Sequence, residues 1–185
     1  MKYDLNVIKK DLHEKLSGYR YEHSLRVADV CLELATIYKV DNETAYLAGL
    51  VHDIAKEFDE QINSYYINKN KLLELNEKFP KVLHSYVGAE YLKEKYNIPS
   101  EIYNAVKIHT TASSNMSTLD KILFIADKIE LGKNFDGIEE IRKLAKTNID
   151  EAIVLYLENS INKLISLNKP IHPDSIEALK ILKNN

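Results

Sequence analysis

The chain has 185 residues, 45% of them hydrophobic, with 25 basic against 28 acidic side chains and a formal net charge of −3. That length and apolar content suit one compact domain that buries its core without disulfides, and a second full domain is not expected. The charge balance carries no global footprint for nucleic acid, although a local basic pocket can still hold phosphates.

The opening segment MKYDLNVIKKDLHEKL interleaves charges with its apolar residues, unlike a signal peptide, and no later stretch approaches a membrane span. A cytoplasmic protein with no membrane partner is expected. Cys31, the single cysteine, sits in an apolar helical pattern and reads as a small core residue.

Apolar residues recur at helical spacing almost throughout and strict alternation is rare, so the expected fold is all-α. A first helix covers about residues 4 to 16 and stops at Ser17-Gly18, and a second spans about 21 to 38. Asp41 is placed to cap a third helix containing Ala45, Ala48, Gly49, His52 and Asp53. Two shorter helices fill 59 to 78, and another covers 82 to 96 after Pro80. The run Asn97-Ile98-Pro99-Ser100 then breaks the chain before Glu101 to His109 resumes it. Ser117 and Asp120 are spaced as a capping box for LDKILFIADKIE, which ends near Gly132. Asp136-Gly137 and Asn148 to Asp150 punctuate two further helices. Pro170, Pro173 and Asp174 form the last break, with Asp174 and Glu177 spaced as a capping pair for the final helix.

Sorting the histidines by helix face separates a set with one destination. His23 shares its face with Val27, Val30, Cys31 and Leu34, the core-seeking side of its helix. His52 has Ala45, Ala48 and Gly49 behind it, small residues that let another helix approach, and Asp53 follows, rotated by about 100°. His84 is backed by Val87, Gly88 and Tyr91, His109 by Ile102, Ala105 and Val106, and Asp127 by Leu123 and Phe124. His13 flanks the apolar face of the first helix and is expected at the surface.

Five helices thus each aim a ligand-type group inward. Uncompensated, such burial costs roughly 2–7 kcal/mol per neutral polar group and more for a charge; a bound cation compensates them together. Imidazole plus carboxylate without thiolate suits iron, manganese, cobalt, zinc or nickel. A divalent ion there would lower the pKa of coordinated water and polarise a phosphoryl oxygen, the two needs of phosphate-bond hydrolysis at neutral pH.

The order His23, His52-Asp53, Asp127 resembles the HD-domain superfamily of metal-dependent phosphohydrolases. The wording is closest to its YqeK-like branch of symmetrical diadenosine tetraphosphate hydrolases. The resembling stretches are RYEHSLRVADV at 20 to 30, AGLVHDIAKE at 48 to 57, HSYVGAEYL at 84 to 92, IHTTASSNMSTLDKILFIADKIE at 108 to 130, and IHPDSIEAL at 171 to 179. The resemblance implies a single helical HD domain, with its motif core at about 20–130 and C-terminal helices at 137–185 packing on it.

It further implies an iron site, of one or two ions, that splits diadenosine tetraphosphate (Ap4A) into two ADP. His23, His52, Asp53 and Asp127 would be the core ligands, with Asp53 and Lys56 the catalytic residues. His84 and His109 would either complete a second metal site bridged by Asp53 or touch the substrate phosphates. Arg20, Lys56, Thr110 and Lys133 match positions near the nucleotide, as does the segment Pro170, Ile171, His172, Pro173, Asp174 and Ser175. A homodimer is left open.

Two departures stand out. The family commonly has glycine where this chain has Ala112, and proline and arginine where it reads Leu131-Gly132-Lys133. Lysine for arginine keeps the charge and loses bidentate phosphate recognition. Three rival readings stand beside the hydrolase: a nucleotidase acting on other nucleotides, a nucleotide-binding sensor without turnover, and a helical protein with a closed structural metal site.

Overall fold

A computed structural model describes residues 3–184, and among them the chain forms eleven helices and no strand. They are α1 (Leu5–Lys15), α2 (Gly18–Tyr38), α3 (Asn42–Val51), α4 (Glu60–Asn70), α5 (Leu73–Lys78), α6 (Leu83–Tyr96), α7 (Ser100–Ile108), α8 (Thr118–Ile129), α9 (Ile138–Thr147), α10 (Ile149–Ser166) and α11 (Pro173–Leu182). None is long and apolar enough to cross a membrane.

Local signals account for most of the boundaries. Asp41 accepts the Thr44 amide at the start of α3, Ser117 and Asp120 form a reciprocal capping box on α8, and Asn148 accepts the Glu151 amide on α10. Two starts depart from the sequence expectation. Helix α2 begins at Gly18, and the Ser17 side chain caps nothing; instead Glu57 accepts both the Ser17 amide, at 2.6 Å, and its hydroxyl, at 3.0 Å. A carboxylate from 40 positions away thus does the work of a local cap. The cap of α11 is His172, whose Nδ1 accepts the Asp174 amide; Asp174 is not the cap. Pro173 explains the correction: its fixed φ suits the first helical turn, so the residue before it takes the cap position.

Helices α2 and α3 form the centre. A Cβ placed on Gly49 would lie 2.7 Å from the Ala28 Cα and 2.9 Å from the Cys31 Sγ, so only glycine allows this crossing. The core around it includes Val27, Leu34, Ala48, Leu50, Leu123 and Phe124. Helices α6, α7 and α8 complete the layer around it, and α9 to α11 pack outside α8. Arg142 of α9 fixes that junction by donating to the carbonyls of Ile129, Glu130 and Lys133. These carbonyls lie at and beyond the end of α8, where intrahelical donors run out, and that of Glu130 also accepts the Lys133 amide.

Candidate metal centre

The six ligand-type residues converge. His23 comes from α2, His84 from the first turn of α6 and Asp127 from α8, while His52 and His109 each occupy the cap position just past α3 and α7. Helix α3 therefore stops short of the His-Asp pair, and His52 to Glu57 continue as tight turns, with the Ile54 amide on the Val51 carbonyl. Despite this, His52 Nε2 and Asp53 Oδ2 lie 3.8 Å apart.

His52 and His109 are held alike. Each directs Nδ1 to the carbonyl three residues back, Gly49 at 2.7 Å and Val106 at 2.6 Å. A carbonyl only accepts, so each Nδ1 carries the proton and each Nε2 presents a lone pair. His23 reaches the same state through Glu130, whose Oε1 lies 3.1 Å from its Nδ1. Burial pushes Glu130 up, but hydrogen bonds from Arg26 and the Gly132 amide outweigh it and keep the carboxylate ionised.

Asp53 divides the cluster between its two oxygens. Oδ2 faces His23 at 3.9 Å, His52 at 3.8 Å and Arg20 at 3.6 Å. Oδ1 faces His84 at 3.1 Å, His109 at 3.4 Å and Lys56 at 3.7 Å. Asp127 Oδ1 lies 3.0 Å from His23 Nε2 and 3.6 Å from His52 Nε2.

The donor set fits a cation. His23 Nε2 and His52 Nε2 are buried with no hydrogen-bond partner, and the lone pair of His23 looks at a carboxylate oxygen. With the rings neutral, two acceptors stand face to face, and a metal ion between them compensates both. Three overlapping groups have the spacing to hold an ion: His23, His52 and Asp53; His52, His109 and Asp127; and Asp53, His84 and His109. Burial pushes the His109 imidazole down to about 4 and lowers His84 as well, so both are neutral at pH 7, as ligation requires. At His52 the opposing charge of Asp53 and Asp127 overcomes burial and raises the pKa.

Lys128, which the sequence reading passed over, pairs with Asp127 Oδ2 at 2.6 Å while its Nζ lies 5.3 Å from the Phe124 ring centre and 5.9 Å from that of Tyr156. Burial opposes its charge, but Asp127 more than compensates and raises its pKa. Its position directly after a ligand-type aspartate was the available signal. Lys56 sits across the cluster, 2.9 Å from His84 Nε2, and burial lowers its pKa.

A cleft of about 620 Å³ opens beside Lys128, and Thr110, Pro170, Ile171, His172 and Ser175 line it. Pro173 and Asp174 are not on that wall; they form the first turn of α11. Ser175 ties the segment to the cluster side by donating to the Thr111 carbonyl at 2.7 Å, and His172 packs on Phe79 with ring centres 4.7 Å apart. Lys133 lies in a neighbouring cleft of about 540 Å³, which Lys128 also borders. Arg20 borders neither and belongs to the Asp53 side. His13 is exposed, as expected.

The family model described as HD domain matches residues 20–132. The chain is 37% identical over 164 residues, 87% of each chain, to a protein of Halalkalibacterium halodurans named "Bis(5'-nucleosyl)-tetraphosphatase, symmetrical". It is 34% identical to a Staphylococcus aureus protein of the same name over 178 residues, 92% of this chain and 90% of that one. A solved structure from Clostridium acetobutylicum, described as a predicted HD superfamily hydrolase involved in NAD metabolism, superposes with a TM-score of 0.93 at 34% identity over 98% of both chains. The chain belongs to the HD-domain family, in its branch of relatives named symmetrical bis(5'-nucleosyl)-tetraphosphatases.

Proposed function

We propose that this chain is a metal-dependent hydrolase that splits Ap4A symmetrically into two ADP. The observation that carries the reading is the position of Lys128, which touches Asp127 at 2.6 Å and also walls a 620 Å³ cleft with cationic and aromatic sides. A phosphate chain in that cleft is thereby brought beside the His/Asp cluster. The Phe79 and His172 rings and the apolar side chains of Leu164 and Ile171 suit a nucleoside, and the lysines suit its phosphates.

His23, His52, Asp53 and Asp127 would hold one divalent ion, and His84 and His109, through the second oxygen of Asp53, a second ion or the phosphates. Iron is the proposed native metal, with manganese, cobalt, zinc and nickel as alternatives for the same donors. When bound, the metal supplies Lewis acidity toward a phosphoryl oxygen and lowers the pKa of water. Asp53 orients both halves of the cluster, and Lys56, Lys128 and Arg20 neutralise charge that develops on the interior phosphates. One water is consumed, the oxygen bridge between the two interior phosphorus atoms breaks, and each half leaves as ADP. We assign residues 20–130 to the motif core and the helices of 137–185, which wall the clefts, to the same single domain.

Anaerobic incubation of iron-loaded protein with Ap4A, followed by chromatography of the products, tests this beside Asp53→Ala. ADP as sole product, absent with the variant, is expected. AMP plus ATP would overturn the symmetrical register, and no turnover with any metal would favour a nucleotide-binding sensor.

A further inference from the structure

Of the residues matched to the nucleotide, Thr110, Pro170 to His172 and Ser175 line one cleft and Lys133 lines another. The larger, with Pro170 to His172, and the smaller, with Lys133, share a wall of Lys128, Tyr156, Ser160 and Lys163. Their volumes, about 620 and 540 Å³, both fall within the roughly 300–1,000 Å³ of ligand sites. The shared wall holds two ammonium groups and two hydroxyls, the chemistry of phosphate contact.

Beyond that wall each cleft has its own aromatic surface. In the larger, Phe79 packs with His172; in the smaller, Phe135 meets Tyr156 of the shared wall edge-on, with ring centres 6.3 Å apart, and Asn159 also lines the cleft. Aromatic, cationic and aromatic surfaces therefore follow in sequence, and the cationic middle is tied through Lys128 to Asp127. A ligand with a base at each end and phosphates between has that same order. A mononucleotide would leave one aromatic end without use.

Resting on the reading of the chain as a tetraphosphate hydrolase, we infer that the Lys133–Phe135–Asn159 cleft is a second nucleoside subsite, which selects substrates carrying a base at both ends. Phe135 provides the stacking surface, Asn159 an amide for a base edge, and Lys133 a contact to the phosphates of that half.

The test compares Ap4A with adenosine 5'-tetraphosphate, which has the same phosphate chain and one base, and whose interior cleavage gives ADP and pyrophosphate. In Phe135→Ala the ratio of kcat/KM for Ap4A to that for the single-base compound is expected to fall about tenfold or more, the scale of losing one stacked base. Asn159 is exposed, so Asn159→Ala, expected to lower the ratio in the same direction, tests the cleft without touching the core. Calorimetric titration of manganese-loaded protein with ADP should give two ADP per chain in the wild type and one in Phe135→Ala. Persistent Ap4A cleavage with one ADP per chain and an unchanged ratio in both variants overturns the second subsite and leaves the hydrolase reading standing. Failure of the wild type to cleave Ap4A overturns the hydrolase reading and, with it, this inference.

Discussion

His23 and Glu130 stand 107 positions apart in the chain, and the imidazole Nδ1 meets the carboxylate at 3.1 Å. The same carboxylate accepts the Arg26 guanidinium at 2.5 Å and the Gly132 amide at 2.6 Å, so its direction is fixed from three sides. Its consequence is the bare Nε2 of His23 beside Asp127. Partners that fix a ligand's tautomer typically govern metal affinity about 10–100-fold. Glu130→Gln should therefore weaken metal binding by about that factor while keeping the helical fold, as read by competition with a chelating dye and by circular dichroism. Unchanged affinity would mean that Glu130 serves only the Arg26 and Gly132 contacts.

Removing the metal should also be visible as lost stability. An ion at 100 times its dissociation constant stabilises the native state by about 2.7 kcal/mol, and 1 kcal/mol corresponds to about 2–4 °C in Tm for a chain of this size. Chelation is expected to lower Tm by about 5–11 °C in the wild type and by much less in Asp53→Ala, whose carboxylate serves both halves of the cluster. Differential scanning fluorimetry with and without a chelator decides it.

Ala112 adopts φ +62° and is fully buried, which gives the family's glycine at this place a physical reason. The left-handed conformation costs roughly 1–2 kcal/mol for a residue with a Cβ. Ala112→Gly relieves that cost, loses about 0.8 kcal/mol of methyl burial and adds about 0.4–1 kcal/mol of unfolded-chain entropy. The terms nearly cancel, so its stability should lie within about 1 kcal/mol of the wild type. Ala112→Val, β-branched at positive φ and overpacked, should cost about 2 kcal/mol or more. Urea midpoints of the two variants measure both values.

A pH-dependent contribution sits outside the metal centre, at Asp11, whose partners include none of the ligand-type residues. Its carboxylate accepts the Tyr91 and Tyr96 hydroxyls at 2.9 and 2.8 Å and pairs with Lys95 at 2.6 Å. Burial pushes its pKa up, but these partners outweigh it and hold the pKa below the usual value. A depressed folded pKa stabilises the native state above the unfolded value of about 3.9, and the benefit is lost as pH falls through the folded pKa. Asp11→Asn should therefore cost about 1.5–3 kcal/mol at pH 7. The gap to the wild type should begin to close below about pH 4, in denaturation series run across pH. A gap independent of pH would assign the loss to shape alone.

What the sequence determined by itself is everything that a few neighbouring residues can decide. The helices, the caps at Asp41 and Ser117, and the inward faces of His23, His52, His84, His109 and Asp127 follow from hydrogen bonds and spacings within one or two turns. The family motif is legible for the same reason, since its ligands are short words on, or just past the ends of, separate helices. Tertiary structure alone decided which groups meet across the fold. Glu57 capping α2, Glu130 setting the tautomer of His23, and the separation of Lys133 from Thr110 and Pro170 to His172 into two clefts all depend on how helices dock. The role of Lys128 belongs here too: its place after Asp127 marks it in sequence as a neighbour of a ligand, and only the packing of α8 against α10 makes it the wall between the clefts.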